Sequence, residues 1–232
     1  MLHIEQLSGG YGGPAVLQGL RVDLVRGEVL GILGRNGSGK STFIKAIIGL
    51  LPQLSGTIEL EGTPLVGLPT HRIARLGVAY VPQGRGIFPK LSVLENLQTG
   101  TNAAGRGRTD IPAEIFAWFP ILKERLTQAG GTMSGGEQQM LAIGRALCGR
   151  PRLLLMDEPS DGVQPSIVER LAELLPAIAR QAGLSVILVE QNVDLALACS
   201  QRCLVMDKGT IVHEGPPSDL ADPMVLKRYL AV

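Results

Sequence analysis

The octet Gly34-Arg35-Asn36-Gly37-Ser38-Gly39-Lys40-Ser41 constrains this chain more than any other stretch, because it satisfies G-x-x-x-x-G-K-[ST] in full. The apolar run Val29-Leu30-Gly31-Ile32-Leu33 leads into it and reads as a buried strand. Behind it, Phe43, Ile44, Ile47, Ile48 and Leu51 fall on one side of a helix. Strand, glycine loop and helix start together make a cradle for phosphate. Glycines let backbone N–H groups turn inward because no Cβ blocks the approach. The helix start adds unpaired N–H groups and a positive dipole end. The motif places Lys40 at the β- and γ-phosphates of a nucleotide and the Ser41 hydroxyl on Mg²⁺.

Further buried strands are expected at Leu76 to Pro82, Leu153 to Met156 and Leu184 to Val189. Each ends in polar residues, and α/β sheets bind ligands at the carboxyl ends of their strands. The first ends in Gln83, which reads either as a ligand-facing amide or as an ordinary loop glutamine. The second ends in Asp157-Glu158-Pro159. Two adjacent carboxylates are costly unless a cation or donors stabilise them. Asp157 suits the Mg²⁺ shell, and Glu158 suits orienting and deprotonating a water. The third ends in Glu190-Gln191-Asn192.

Around these strands, residues 1–30 predict a small antiparallel sheet and residues 55–66 a hairpin. Residues 87–150 are expected to be mostly helical, with a capping box at Ser92 and a mobile glycine-rich stretch from Gly100 to Gly107. Asp110-Ile111-Pro112 looks like a helix start. The aromatic cluster Phe116, Trp118 and Phe119 fits either core or a docking surface. Ser134 caps a helix running to about Cys148, and Ser134-Gly135-Gly136-Glu137 reads as a capped helix or as a second anion-binding helix start. Helices are also expected at Pro165 to Ala182, Asp194 to Cys199 and Pro217 to Val232, with a hairpin from Gln201 to His213. Tyr11, alone among glycines, either stacks on adenine or sits on a surface turn.

Composition excludes several functions. A net charge of +1 and an aromatic content of 3% argue against nucleic acid as a partner. No apolar run approaches the roughly 18 residues that span a bilayer, and the first residues lack the pattern of a signal peptide. The chain is therefore expected to be cytoplasmic, with another chain supplying any membrane span. Cys148, Cys199 and Cys203 lack the companions of a zinc site and read as small core hydrophobes. His3, His71 and His213 are too scattered to make a site.

The phosphate loop, Gln83, Met133-Ser134-Gly135-Gly136-Glu137 and Asp157-Glu158, in that order, resemble the ATP-binding-cassette (ABC) ATPases over essentially the whole chain. The resemblance implies an α/β fold. A RecA-like core with an antiparallel sheet would be formed by residues 1–86 and 150–232, and a helical subdomain by 87–149. It implies ATP and Mg²⁺ as ligands and a head-to-tail pair of ATPase subunits, like or unlike. Each ATP would lie between one subunit's phosphate loop and the other's signature residues Ser134, Gly135, Gly136 and Glu137. Gly34 to Ser41 and Thr42 would hold the nucleotide, and Tyr11 would stack on adenine. Gln83 would sense Mg²⁺ and water and couple to the membrane partner. That partner would be two membrane permease subunits, fed by a periplasmic binding protein, which would hold this chain at the inner face of the cell membrane. Their contact is expected at Gln83 to Asn96, where Arg85, Ile87, Phe88, Pro89 and Leu91 stand beside Gln83.

Glu137 stands where the family usually has glutamine, Gln164 where an aspartate is usual, and Gln191 where a histidine is usual. Glutamine can donate a hydrogen bond to the γ-phosphate but cannot shuttle a proton. Val189-Glu190-Gln191-Asn192 looks like the branch serving branched-chain amino acids, urea and short amides. Within it, Tyr11-Gly12-Gly13, Val81 to Arg85 and Asp161 to Pro165 look most like the urea-type subunit, with the branched-chain amino-acid subunit as the alternative. A soluble repair or translation cassette would carry coiled-coil insertions or tandem cassettes, and this chain has neither. A weakly hydrolysing regulator is opposed by Glu158.

Overall fold

A computed structural model describes residues 1–103 and 110–221. The chain opens with strands β1 (Leu2–Gly10) and β2 (Leu17–Leu24), then β3 (Val29–Leu33) and helix α1 (Lys40–Ile47). Next come β4 (Gln53–Leu60), β5 (Thr63–Pro64), α2 (Thr70–Arg75) and β6 (Val78–Val81). Four helices follow: α3 (Val93–Ala103), α4 (Ala113–Trp118), α5 (Pro120–Glu124) and α6 (Gly135–Cys148). The chain returns through β7 (Leu153–Asp157), α7 (Pro165–Ala182), β8 (Ser185–Glu190) and α8 (Val193–Cys199). It closes with β9 (Arg202–Asp207), β10 (Thr210–Gly215) and α9 (Pro217–Leu220).

The strands form two sheets. The antiparallel one has the order β2-β1-β4-β5, and the larger one β10-β9-β3-β8-β7-β6. In the larger sheet β3, β6, β7, β8 and β9 run parallel. Strands covered on both faces read as continuous apolar runs, and every residue of β3, β7 and β8 is buried. Side chains alternate between faces. Leu153 and Leu155 join Leu30, Ile32 and the antiparallel sheet in one core. Leu154 and Met156 join a second core with α3 to α7, centred on Phe119, Leu122 and Leu141. The three cysteines are free and buried as expected, and burial pushes the Cys148 and Cys199 thiols up to about 12.

Two expectations need correction. Gly100 to Ala103 continue α3 rather than opening a loop. A Cβ on Gly100 would lie 1.9 Å from the Arg145 carbonyl oxygen, so this glycine lets α3 pack against α6. The rest of that stretch, residues 104–109, lies outside the described residues, as do 222–232 of the expected terminal helix. The strand expected from Leu184 begins one residue later and includes Glu190, whose side chain is buried. The capping boxes at Ser92 and Ser134 are both present.

Candidate nucleotide site

The site lies where β3, β8, β7 and β6 end, side by side. The phosphate loop follows β3, and α1 starts at Lys40 behind Gly39, whose φ of 108° a side chain would strain. A Cβ on Gly34 would stand 2.4 Å from the Met206 carbonyl and 2.6 Å from Ser38 Oγ, so only glycine fits there. Lys40 is 4% exposed. Its ammonium donates to the carbonyls of Gly34 at 2.7 Å and Arg35 at 3.1 Å. It also stands 3.5 Å from Glu158 Oε1. Burial pulls its pKa below the ordinary lysine value, and Glu158 opposes this.

Asp157 ends β7 and is 2% exposed. Burial raises its pKa, while hydrogen bonds from Ser41 Oγ at 2.9 Å and the Tyr80 hydroxyl at 3.4 Å hold the charged form. Glu158 follows with a left-handed backbone, φ 48°. Its Oε2 accepts from Gln83 Nε2 at 3.2 Å and its Oε1 from Gln191 Nε2 at 2.7 Å. Gln83 Nε2 also meets Asp161 at 3.2 Å. Asn36, Gly37, Ser38, Gly39, Lys40, Ser41, Thr42, Gln83, Glu158 and Val16 enclose a cavity of about 330 Å³. Tyr11 is 53% exposed beside it, with its hydroxyl 3.5 Å from Thr42 Oγ1 and Lys45 5.9 Å from its ring centre.

Two groups of expected residues stand elsewhere. None of Ser134, Gly135, Gly136 and Glu137 lines this cavity. They begin α6, where Ser134 Oγ donates to Glu137 Oε2 at 2.8 Å and Glu137 Oε1 pairs with Arg125 at 3.1 Å. Gln191 does not line the cavity either. One N–H of its amide goes to Glu158 at 2.7 Å, where a histidine was the family expectation. A buried carboxylate needs donors, and a neutral amide supplies one at no charge cost.

Sequence reasoning missed Tyr80, and it did not foresee the contacts of Arg85 and Asn96, which it placed only in the stretch expected to meet the permeases. Tyr80 holds Asp157, and its burial raises the phenol's pKa. Arg85 ties Gln138 of α6 at 3.1 Å to the Gly162 carbonyl at 3.0 Å. Asn96, fully buried, accepts from the Phe88 N–H at 2.9 Å and donates to the carbonyls of Phe88, Leu91 and Ser92. No local pattern marks these side chains, because each answers a partner distant in sequence or a loop's backbone. Gln164 opens α7 without a side-chain cap, and Pro165 at the first helical position starts it instead.

The ABC transporter family model matches residues 17–161. The high-affinity branched-chain amino acid transport ATP-binding protein BraG of Pseudomonas aeruginosa is 42% identical, over 99% of each chain. The probable branched-chain amino acid transport ATP-binding protein LivF of Archaeoglobus fulgidus is 34% identical, over 96% of this chain and 94% of its own. The crystal structure of the ADP conformation of MJ1267, an ATP-binding cassette of an ABC transporter, superposes with a TM-score of 0.83 at 26% identity, over 98% of this chain and 97% of its own. With its phosphate loop, paired carboxylates and two-sheet fold, the chain belongs to the ABC transporter family as one of its ATP-hydrolysing subunits.

Proposed function

We propose that this chain powers an importer of branched-chain amino acids. The observation that carries the cargo is the full-length likeness to BraG at 42% identity. It favours the branched-chain alternative over the urea-type reading of Asp161 to Pro165, whose residues touch no cargo.

In the proposed mechanism, Gly34 to Thr42 wrap the triphosphate and Lys40 faces its β- and γ-oxygens. The buried Ser38 hydroxyl, which has no hydrogen-bond partner among the described residues, is a donor left for a phosphate oxygen. The oxygens of Ser41, Asp157 and Gln83 suit a hard cation such as Mg²⁺. Bound there, the ion would neutralise charge on the phosphates. Glu158 accepts a proton from the water that attacks the γ-phosphate, and ADP and phosphate leave. Tyr11 offers an exposed ring to adenine.

The signature residues stand apart from their own chain's cavity, which supports a head-to-tail pair of cassettes, like or unlike. Residues 87–149 act in this reading as a helical lobe on a core of 1–86 and 150–232. No helix among the described residues is long and apolar enough to cross a membrane. Permease subunits supply the span and hold the chain at the inner face of the membrane. A cleft of about 420 Å³ beside β6, lined by Ile48, Leu50, Tyr80, Phe88, Gly100 and Arg145 among others, suits a permease helix. Phe88 is 48% exposed there and lies under the Arg145 guanidinium at 5.2 Å.

Reconstitution with the native permeases, partner ATPase and binding protein tests the reading. Leucine should stimulate ATP hydrolysis, and Phe88→Ala should weaken that stimulation while nucleotide binding is kept. Stimulation by urea or short amides alone would restore the urea-type reading.

A further inference from the structure

Glu190 ends β8 beside Gln191, and it is 1% exposed. A carboxylate so deep is stable only among donors. Burial raises its pKa, and hydrogen bonds from Ser160, Asn192 and Gln191 oppose the rise. Its Oε1 accepts from the Ser160 N–H at 2.9 Å. Its Oε2 accepts from the Ser160 hydroxyl at 2.8 Å and from the N–H groups of Gln191 and Asn192, each at 3.2 Å.

These donors belong to two different loops. Ser160 lies on the loop that leaves β7 just after Glu158. Gln191 and Asn192 lie on the loop that leaves β8. The Gln191 side chain then reaches back to Glu158 Oε1 at 2.7 Å. The contacts therefore close a ring: Glu158, Gln191, Glu190, Ser160, and along the chain to Glu158 again. The ring reaches the phosphate loop through Glu158, whose Oε1 stands 3.5 Å from Lys40.

We infer that Glu190 is a positioning residue for ATP hydrolysis, holding Gln191 and the Ser160 loop so that Glu158 faces the attacking water. The inference rests on Glu158 being the base. Only a carboxylate suits the position, because it is acceptor-only and can take all four donors. An amide would set its own N–H₂ against a backbone N–H and push the loops apart. Displacing a catalytic group by about 1 Å can cost on the order of a hundredfold in rate. The phosphate cradle lies outside the ring, so nucleotide affinity should be spared. A mere staple between two loops would instead show in melting temperature and affinity.

The test compares Glu190→Gln, Ser160→Ala, Ser160→Thr and Glu158→Gln in the full chain, measuring kcat, KM, fluorescent-nucleotide affinity and melting temperature. Glu190→Gln should lower kcat about 10- to 100-fold with KM and nucleotide affinity within about twofold. Ser160→Ala, which removes one donor of four, should lower kcat about two- to fivefold, and Ser160→Thr, which keeps a hydroxyl, should restore it. If Glu190→Gln does not fold, the Ser160 pair decides. Wild-type kcat in Glu190→Gln or Ser160→Ala overturns the inference, and so do losses of kcat matched by losses of affinity and melting temperature. Normal turnover in Glu158→Gln would instead remove the base assignment itself.

Discussion

Glu158 holds a backbone conformation uncommon for any residue but glycine, φ 48°, at the point where three side chains converge on it. Such local strain persists only when the surroundings over-determine it, and here Gln83, Gln191 and Lys40 all reach the carboxylate. Glu158→Gln should bind ATP yet hydrolyse it about a thousandfold more slowly, roughly 4 kcal/mol of barrier. Gln191→Ala should cost less, about ten- to a hundredfold, because it removes one donor to a carboxylate, a contact worth roughly 1.5–3 kcal/mol. Steady-state ATPase rates at saturating ATP rank the two, and equal losses would give Gln191 more than an orienting part. The residue types of this site were legible from motif spacing, since phosphate and Mg²⁺ chemistry dictates them. Their mutual partners were not. Gln191 meets Glu158, and Tyr80 meets Asp157, only because β8 and β6 both flank β7.

At the scale of elements, α6 carries a conflict of its own. Its N-terminus is dressed for an anion, with Gly135 and Gly136 in the first turn, yet Glu137 already supplies one. The Ser134 hydroxyl has a single proton and gives it to Glu137 Oε2. In the proposed head-to-tail pair, a γ-phosphate arriving from the second cassette would have to win that proton. Glu137→Ala should therefore do two opposite things. It should lower the melting temperature, since losing the capping contact costs about 0.5–2 kcal/mol. It should also let ATP drive pairing at lower concentration, measured by sedimentation in a Glu158→Gln background. Weaker pairing would mean that Glu137 orients Ser134 rather than competing for it. The cap was readable from Ser134 and Glu137 three positions apart, as were the buried strands from their unbroken apolar runs. Gly100 misled because a glycine that admits the Arg145 carbonyl looks, in sequence, like one that opens a loop.

At the scale of the whole molecule, the order of the sheet places the chemistry. Parallel strands stand about 4.8 Å apart, so the sheet β3-β8-β7-β6 sets its four loops across roughly 14 Å. Apolar runs announced the strands, but their neighbours did not follow from periodicity. Ladder pairing is a long-range choice, and the family resemblance implied a RecA-like core without its strand order.

That arrangement means the polypeptide and the sheet spell the same four words in different sequences. Along the chain they run phosphate loop, Gln83, Glu158, Gln191. Across the sheet they run phosphate loop, Gln191, Glu158, Gln83. The backbone ladder alone does the translating, so the site should be deaf to the length of the connections at the far ends of the strands and acutely sensitive to slippage within them. Two glycines inserted after Gly183, where a Cβ would meet nothing within 4 Å, lengthen the α7–β8 link about 20 Å from the chemistry. They should leave kcat within about twofold. One glycine inserted between Leu155 and Met156 turns every later side chain of β7 to the opposite face, and ATPase activity should vanish. Equal damage from both insertions would mean that the connections, and not the ladder, hold the motifs in place.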